Sequence, residues 1–416
     1  MHEQSSLRIA VIGGGAAGMM AAGTAAENGG HVVLFEKNRG LGKKLLITGK
    51  GRCNLCNQCE AREFLSHVVR NPRFLYSAIF TFPPEKTIQF FEENGCPCKT
   101  ERGNRVFPVS DRSQDVLLAL TRYLDKTGVI LRHDAVRQIR TCADGFSLQT
   151  VQTEETFDRV ILATGGASYP ATGSTGDGYR FAQALGHRVT DRFPSLVPLE
   201  TVEDDCAKMQ GLSLKNTALT VEDTENSKVV YRDFGEMLFT HFGVSGPMVL
   251  SASAHLDRQR ISAFRLTLDL KPALDEKKLD QRLLSDFAAG ANRDFVNILP
   301  ALLPAKMIPV FVQRVGIDPH TKVHDITKEQ RKRIVFLLKN FSLHLRAFRP
   351  IKEAIVTAGG VDVKEIDPKT MQSRLVKGLY FAGEVIDVDA YTGGFNLQIA
   401  FSTGHLAGES AAEPAE

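Results

Sequence analysis

Three glycines near the start of the chain have the spacing of a loop that binds a dinucleotide. Gly13, Gly15 and Gly18 form a G-x-G-x-x-G motif. In this motif the first glycine permits a tight turn, the second lets the backbone approach a pyrophosphate, and the third lets helix and strand pack closely. Glu36 follows 23 positions after Gly13, close to the spacing of about 20 at which an acid accepts ribose hydroxyls. The sequence predicts a dinucleotide without a 2′-phosphate, because that phosphate would meet the Glu36 carboxylate.

A second segment that could bind a ligand is basic and rich in glycine. It runs from Gly40 to Asn57 and contains four basic residues and four glycines. Such a loop can fold over an anionic cofactor, with lysine and arginine side chains and backbone N–H groups facing the phosphates. A solvated basic loop is the alternative interpretation.

The elements that position these residues follow the expected order. Arg8 to Ile12 is a β-branched apolar run, typical of a buried parallel strand. Met19 to Glu27 is predicted to be helical, and Gly29 and Gly30 end that helix before a second strand, His31 to Phe35. This strand, loop, helix and strand unit predicts an α/β protein with a Rossmann-like domain.

A cluster of cysteines supplies a competing interpretation. Cys53, Cys56 and Cys59 have the spacing of three iron–sulfur ligands, and Cys96, which precedes a proline, could be a distant fourth. Cys59 is followed by a polar, helix-like stretch, which does not favour gathering all four thiolates. Ligand spacing without its structural context is a weak indication, so no metal site is predicted.

Composition narrows the class of protein. The chain has 416 residues, enough for two or three domains, and its net charge is only +3. This balance does not favour a nucleic-acid partner. The odd number of cysteines, seven, argues against a secreted disulfide framework and favours the cytoplasm. The apolar stretch from Ile9 to Ala26 contains five glycines and is better explained by strand and helix than by a membrane span or signal peptide.

The middle of the chain predicts a second segment that contacts the cofactor and, after it, an inserted domain. Asp158 to Leu162 is strand-like and ends in a glycine turn, Ala163 to Gly166. We expect Asp177 to be the N-cap of a helix that runs to Gly186. From Pro194 short alternating stretches indicate an antiparallel β element, and the periods of 275–287 and 328–339 indicate helices.

The C-terminal segment returns to the strand and glycine pattern. Gly378 to Glu384 predicts a buried strand, and Tyr391 to Gln398 leads into an alanine-rich helix. A helix N-terminus facing a flavin pyrimidine ring would stabilise the negative charge that develops at N1 and O2 when the flavin accepts a hydride. An ordinary strand, turn and helix that close the sheet would show the same pattern.

Several motifs together resemble one family. They are the glycine motif, the Ile47 to Asn54 loop with Asn57, Arg102 to Pro108, Ala163 to Gly166, Gly173 to Gly178, Phe239 to Pro247 and Gly383 to Gln398. The sequence is similar to bacterial NAD(P)/FAD-dependent oxidoreductases, which include YhiN-like and BaiN-like flavoproteins and are also called the aminoacetone oxidase family. The resemblance spans nearly the whole chain and is weakest from about Asp269 to Lys339.

The resemblance implies FAD as cofactor and a fold of the two-dinucleotide-binding-domain flavoprotein type. It implies that Ala163 to Gly165 line the FAD and that the Val136 backbone lies near the adenine. It assigns Gly383 and Glu384 to the ribityl and phosphate region. It also assigns Gly393, Gly394, Asn396 and Leu397 to the isoalloxazine.

The predicted cofactor-binding residues form one set. They are Gly13, Gly15, Ala16, Ala17, Gly18, Glu36, Lys37, Lys44, Gly51, Arg52, Cys53, Asn54, Val136, Ala163, Thr164, Gly165, Gly166, Gly383, Glu384, Asp387, Gly393, Gly394, Asn396 and Leu397. The residues that could face the substrate are Arg52, Arg105, Tyr169, His241 and Tyr391, and none of them is assigned a catalytic role.

The predicted FAD-binding domain comprises residues 1–193 and 350–416. A covering domain of residues 194–349 is predicted to interrupt it, with a β part at about 194–270 and a helical part at about 271–340.

The predicted function is hydride transfer between a small organic substrate and flavin N5. NADH or NADPH is a candidate transient reductant, although a second G-x-G-x-x-G is lacking. No nucleic-acid or membrane partner is expected, and the sequence indicates no oligomeric state. The alternatives are a flavin-containing redox sensor, an RNA-modifying factor, or an iron–sulfur protein that uses Cys53, Cys56 and Cys59.

Overall fold

The structure, a computed structural model, describes residues 6–414, so the ends of the predicted first domain lie outside the described residues. The chain divides into two compact units, which fall within Met1–Ser195 with Ile351–Glu416 and within Leu196–Pro350. Each unit has its own hydrophobic core.

The first segment of the first unit contains both strands and helices. Its strands are β1 (Arg8–Ile12), β2 (His31–Phe35), β3 (Cys56–Asn57), β4 (Val68–Arg70), β5 (Cys98–Glu101), β6 (Arg105–Pro108), β7 (Ile130–Arg132), β8 (Gln138–Cys142), β9 (Gly145–Gln149), β10 (Glu154–Phe157), β11 (Arg159–Leu162) and β12 (Phe193–Ser195). Its helices are α1 (Ala16–Glu27), α2 (Lys43–Ile47), α3 (Ala61–Ser66), α4 (Tyr76–Thr81), α5 (Pro84–Glu93), α6 (Ser113–Thr127) and α7 (Asp177–Ala184).

The second unit combines strands with a helical segment. Its strands are β13 (Leu199–Thr201), β14 (Ser213–Asp223), β15 (Lys228–Phe239), β16 (Gly243–Ser245), β17 (Phe264–Asp269) and β18 (Phe341–Phe348). Its helices are α8 (Asp205–Lys208), α9 (Pro247–Ser253), α10 (Glu276–Ala289), α11 (Ile308–Val315) and α12 (Lys328–Lys339). The chain then returns to the first unit with β19 (Val356–Ala358), β20 (Leu379–Phe381), β21 (Asp389–Ala390) and α13 (Phe395–Ala412).

The first unit is built on a five-stranded parallel sheet with the order β20, β11, β1, β2 and β7. Its central strand β1 is made of β-branched and small apolar residues, and Ile9 to Val11 are fully buried. Buried apolar strands of this kind are expected where helices cover both faces of a parallel sheet. The structure confirms the predicted α/β class with a Rossmann-like sheet.

Helices α1 and α13 pack against each other through small residues. A Cβ atom built on Gly404 would lie 2.5 Å from the backbone oxygen of Ala17, and one on Gly408 would lie 2.4 Å from that of Ala21. Only glycine permits so close an approach of two helix backbones. The C-terminal helix is thereby fixed against the helix that follows the glycine motif.

The second unit contains a closed antiparallel sheet with the order β13, β16, β15, β14, β17 and β18. Leu219, Val221, Leu266, Leu268 and Leu343 are fully buried side chains of its strands. The predicted division into a β part followed by a helical part is incomplete, because β18 comes after the helical segment and pairs with both β13 and β17.

The sequence predicts the wrong N-cap residue for α7. Gly176, not Asp177, is the N-cap of α7, and it has a φ of +80°. Asp177 is the first helical residue, and its carboxylate accepts hydrogen bonds from Lys37 Nζ at 2.6 Å and from Thr175 Oγ1 at 2.9 Å. A left-handed residue suits glycine, so Gly176 takes the position that side-chain capping preference gave to Asp177.

None of the helices within residues 6–414 is both long and apolar enough to cross a bilayer.

Candidate functional site

The glycine motif lies at the carboxyl end of β1, where three different constraints fix its glycines. Gly13 has a φ of +110°, and its N–H donates to the Phe35 carbonyl at 2.8 Å. A Cβ on Gly18 would lie 1.8 Å from the Gly13 oxygen, whereas one on Gly15 would meet no atom within 4 Å. The open position is the one at which a pyrophosphate must approach the backbone. Because Gly15 is also the N-cap of α1, the first N–H groups of that helix face this opening.

Glu36 lies beside the glycine motif and is nearly buried, with 8% of its surface exposed. Its Oε2 accepts the Gly14 N–H at 2.8 Å. Its Oε1 accepts from the backbone N–H of Asn38 at 2.8 Å and from its side-chain amide at 2.7 Å. These bonds fix the carboxylate at the end of β2, as expected for an acid that binds a ribose.

The loop that contains Val136 lies near the same end of the sheet. His133 Nδ1 is 2.8 Å from the Asn38 carbonyl oxygen, and Val136 itself is 9% exposed. Asn38 therefore joins the Glu36 carboxylate to the loop in which the adenine contact is predicted. In the sequence analysis, Asn38 was given no role. Its position two residues after Glu36 is the feature of the sequence that could have indicated one.

Lys37 and Lys44, two predicted contacts of the cofactor, point to different partners. Lys37 Nζ lies 2.6 Å from the Asp177 carboxylate. Burial raises the pKa of Asp177, but the hydrogen bonds from Lys37 and Thr175 outweigh this effect and hold the pKa below its usual range. Lys44 Nζ forms an ion pair with Glu384 at 2.6 Å and donates to Ser168 Oγ at 2.6 Å.

Glu384 connects three distant segments of the first unit. Its Oε1 accepts the Thr357 N–H at 2.8 Å and the Ser168 hydroxyl at 3.2 Å. Thr357 Oγ1 in turn accepts the N–H groups of Ala167 at 2.8 Å and Ser168 at 3.1 Å. The sequence interpretation missed Ser168 and Thr357, because an isolated serine or threonine carries no recognisable spacing.

The other glycine turns lie against the same framework. A Cβ on Gly13 would be 2.5 Å from the Ala163 oxygen, and one on Gly166 would be 2.5 Å from Glu384 Oε1. Gly383 has a φ of +75° and faces the Ala17 side chain. The residues at the carboxyl ends of β1, β11 and β20 thus form one cradle, which we define as residues 13–18, 163–166 and 383–384.

The turn before α13 approaches the three-stranded sheet formed by β3, β6 and β5. A Cβ on Gly394 would lie 2.4 Å from the backbone of Cys56, and Asn57 Nδ2 donates to the Gly393 carbonyl at 3.4 Å. Asn396 closes the turn by accepting the Ala390 N–H at 3.0 Å and donating to the Ala390 carbonyl at 2.8 Å. Leu397 follows in the first turn of the helix and is partly buried.

Asp387 is engaged by a basic side chain of β4. Its carboxylate lies 2.9 Å from Arg70 Nε and is nearly buried, with 6% of the side chain exposed. Asn71 Nδ2 donates to its carbonyl at 2.6 Å. This ion pair fixes the segment that leads from the cradle to the α13 turn.

Among the buried side-chain polar atoms without a hydrogen-bond partner in residues 6–414, two belong to predicted cofactor contacts. They are Asn54 Oδ1 and Thr164 Oγ1. Buried polar groups are usually hydrogen-bonded, so such atoms indicate a missing ligand or water. Together with the open position at Gly15, they fit a dinucleotide cofactor.

Arg52 follows Gly51, which has a φ of +84°. Its guanidinium carbon lies 4.1 Å from the centre of the Phe107 ring. The same guanidinium pairs with Glu101 and Asp111 at 2.5 Å. The hydrogen bonds that the guanidinium donates to the carboxylates of Glu101 and Asp111 raise the pKa of Arg52. Arg52 is therefore anchored to this loop and its acids.

The other residues predicted to face the substrate are spread over the two units. Arg105 is exposed, and its Nε donates to the Arg102 carbonyl at 3.1 Å. Tyr169 is partly buried with a φ of +50°, and burial and Glu353 raise its pKa. Tyr391 packs edge to face on His67 with ring centres 5.8 Å apart. His241 is exposed and belongs to the second unit.

The cysteines do not form a ligand shell. Within residues 6–414 no group of three or more His, Cys, Asp or Glu side chains is arranged to hold a metal ion. Burial raises the pKa of the Cys53 thiol to about 12 and that of Cys59 to about 11, and it also raises the pKa of Cys56.

The chain matches a family model described as "HI0933-like protein Rossmann domain" over residues 7–410. It is 32% identical over 411 residues to the 3-dehydro-bile acid delta(4,6)-reductase of Clostridium scindens, covering 98% of this chain and 99% of the relative. It is 30% identical over 403 residues to the ribosomal RNA dihydrouridine synthase of Haemophilus influenzae, covering 95% of this chain and 96% of the relative.

A solved structure shows the same fold. The 3-ketosteroid delta1-dehydrogenase of Sterolibacterium denitrificans matches with a TM-score of 0.53 and 14% identity, covering 97% of this chain and 99% of that chain.

Proposed function

The chain belongs to the HI0933-like family of Rossmann-domain proteins and is an FAD-dependent oxidoreductase, and from this premise we propose that it reduces a carbon–carbon double bond conjugated to a carbonyl. The family confirms the prediction of FAD. The observation that carries the proposal is the chemistry shared by two relatives named above. A delta(4,6)-reductase of a 3-dehydro-bile acid and a dihydrouridine synthase both saturate a ring double bond conjugated to a carbonyl.

The residues that would hold FAD are those of the cradle, together with Glu36 and the α13 turn. When bound, FAD supplies a hydride from its reduced N5, and the protein supplies binding, orientation and electrostatics. The open backbone at Gly15 and the N-terminus of α1 suit the pyrophosphate, and Glu36 suits the adenosine ribose. Gly394 lets the turn before α13 pack against the Cys56 backbone, and the N-terminus of α13 would stabilise negative charge on a flavin ring bound beside it.

The proposed reaction balances with one hydride and one proton. The hydride is added to the carbon β to the carbonyl, and a proton is added to the α carbon. NADH or NADPH would supply the pair of electrons, and bound FAD would carry it to the substrate. Since the sequence has a single G-x-G-x-x-G, we propose that the nicotinamide nucleotide binds transiently rather than in a second Rossmann unit.

Anaerobic reduction and reoxidation of the flavin test this proposal. We expect NADH or NADPH to bleach the visible flavin absorbance, and a 3-oxo-Δ4 steroid or a uridine-containing RNA to restore it. With reductant carrying deuterium at the transferred position, the product should carry deuterium at the β carbon. If only dioxygen restores the absorbance, the protein is an oxidase and the proposal is wrong.

Glu36→Ala tests the role of Glu36 in cofactor binding, with circular dichroism of the purified variant to show that it is folded. The Glu36 carboxylate binds the glycine motif, so we expect the purified variant to retain less FAD than the wild type. Glu60→Ala is the matched control, because Glu60 is exposed and its side chain does not cap α3. Equal FAD content in both variants would contradict the role of Glu36.

A second candidate function is reduction of uridine within RNA. The observation that favours it is the name of two relatives that are 30% and 29% identical over 95% and 94% of this chain, both ribosomal RNA dihydrouridine synthases. Mass spectrometry of ribosomal RNA from cells with and without the gene decides between the candidates. Loss of a dihydrouridine in the deletion strain favours RNA, and unchanged RNA favours a small substrate.

A further inference from the structure

The helical segment of the second unit has a higher net positive charge than the whole chain. Residues 271–340 contain 13 Lys and Arg and 8 Asp and Glu, a net charge of +5, whereas the entire chain has +3. The rest of the chain is therefore slightly acidic. A local excess of positive charge on one segment can attract a polyanion even when the total charge is small.

Helix α12 presents this charge on a defined face. Ile334, Val335 and Leu338 are buried on its inner side, and Phe336 is 63% exposed on the opposite side. With 3.6 residues per turn, Lys332 and Arg333 lie on either side of Phe336 one turn earlier. Both of these basic residues are exposed. A large aromatic ring is thus exposed between two cations.

The helix is held in place by contacts other than this face. Thr327 and Gln330 form a capping box at its start. Arg331 forms an ion pair with Asp280 of α10 at 2.6 Å, and Lys339 forms one with Asp269 at 2.5 Å. The outer residues are therefore not needed to anchor the helix.

The cations of the outer face differ from those at its edges. Lys332 and Arg333 have no carboxylate partner within 4.0 Å among the residues that the structure describes, and Glu329 is the acid that shares the face. Unpaired cations on an ordered helix keep their hydrogen-bond donors available for an anion.

We propose that this outer face, formed by Lys332, Arg333 and Phe336, binds a single-stranded segment of RNA. Lysine and arginine contact phosphates, and an exposed phenyl ring stacks on a base, which is how many proteins bind single strands. An acidic peptide would use the cations but leave Phe336 without a stacking partner. A membrane would need a broader apolar face than one phenyl ring.

The outer face of α12 would be the RNA contact surface for the second candidate function, reduction of uridine within RNA, and its assignment rests on that proposed function. Binding is measured without turnover, so its failure and the failure of the proposed reduction are separate results.

Fluorescence anisotropy of the oxidised holoprotein with a short fluorescein-labelled oligouridylate tests the surface. We expect Lys332→Glu/Arg333→Glu to weaken binding at least about tenfold and to reduce the slope of log affinity against log salt by about 1.4 for two lost phosphate contacts. The matched control is Lys126→Glu/Lys369→Glu, which makes the same change in charge at exposed sites of the first unit. It should change affinity by less than about twofold.

Aromatic variants separate stacking from charge. Phe336→Leu keeps an apolar side chain without a π face and should weaken binding about fivefold or more, whereas Phe336→Tyr should retain it. Unchanged FAD absorbance and circular dichroism show that each variant is folded.

Three results would overturn the proposal. They are lack of binding by the wild type at physiological salt, equal losses in the α12 variants and the control variants, and polyglutamate binding as tight as that of the oligouridylate. The last result would assign the face to an acidic protein partner.

Discussion

The two units place their polar groups differently. In the first unit, the carboxylates of Glu36, which is 8% exposed, and Glu384, whose side chain is 17% exposed, accept hydrogen bonds from backbone amides at the end of the parallel sheet. In the second unit, the closed sheet has an apolar core, and the carboxylates of Glu200 and Glu222 pair with Arg346 and Arg265, whose side chains are 61% and 42% exposed. Two buried polar atoms of predicted cofactor contacts that have no hydrogen-bond partner among the described residues, Asn54 Oδ1 and Thr164 Oγ1, belong to the first unit, where we propose that FAD binds.

The largest expected effect distinguishes two glycines of the same motif. Gly18→Val should destabilise the protein by more than about 3 kcal/mol, because a Cβ there would overlap a backbone oxygen that cannot move away. Gly15→Val should leave the melting temperature of the apoprotein nearly unchanged but reduce FAD retention, because its Cβ projects into open space. Circular dichroism and released flavin measure the two effects. Equal melting temperatures of the two variants would show that packing around Gly18 is looser than described.

A buried histidine should make the first unit sensitive to acid. Burial, aided by Lys86, lowers the pKa of His405 from 6.5 to about 4. Between these values the unfolded chain binds more protons than the folded one, so stability falls as the pH falls from 6.5 to 4. We expect His405 to account for about 1–3 kcal/mol of that loss.

Melting temperatures across this pH range measure the histidine effect. His405→Gln should flatten the pH dependence, and His31→Gln, at an exposed position, should not. The same slope in both variants would assign the acid sensitivity to other groups.

The ion pair between Lys44 and Glu384 should be moderately strong. Its side chains are 23% and 17% exposed, and Glu384 also accepts a backbone N–H. A double-mutant cycle with Lys44→Met and Glu384→Gln should give a coupling energy of about 1–2 kcal/mol. Urea denaturation followed by circular dichroism measures it, since the chain has no tryptophan.

The matched cycle in the second unit should give the smallest effect. Arg346 is 61% exposed, so coupling between Glu200→Gln and Arg346→Gln should be below about 0.5 kcal/mol. The hydrogen bond from Arg346 lowers the pKa of Glu200. This coupling should therefore be present at neutral pH and disappear as the carboxylate is protonated. A coupling as large as that of Lys44 and Glu384 would remove the distinction between the two units.

The sequence predicted the features whose parts are close together in the chain. The turn at Gly13, the open backbone at Gly15 and the acid at the end of β2 follow from strand, loop and helix within 30 residues. The capping of α7 was predicted wrongly, because side-chain preference favoured Asp177 while a left-handed backbone selects Gly176. The total charge of +3 likewise hid the basic face of α12, because a sum over the chain averages over positions.

By itself the sequence determined the α/β class, the family and FAD, since glycines, β-branched runs and their spacing reflect local backbone requirements. Only the tertiary structure showed that Lys44, Ser168, Thr357 and Glu384 form one network. It alone also showed that β18 closes the antiparallel sheet after a helical segment. The physical reason is that these contacts join residues up to 340 positions apart, and their partners are selected by packing rather than by local conformational preference.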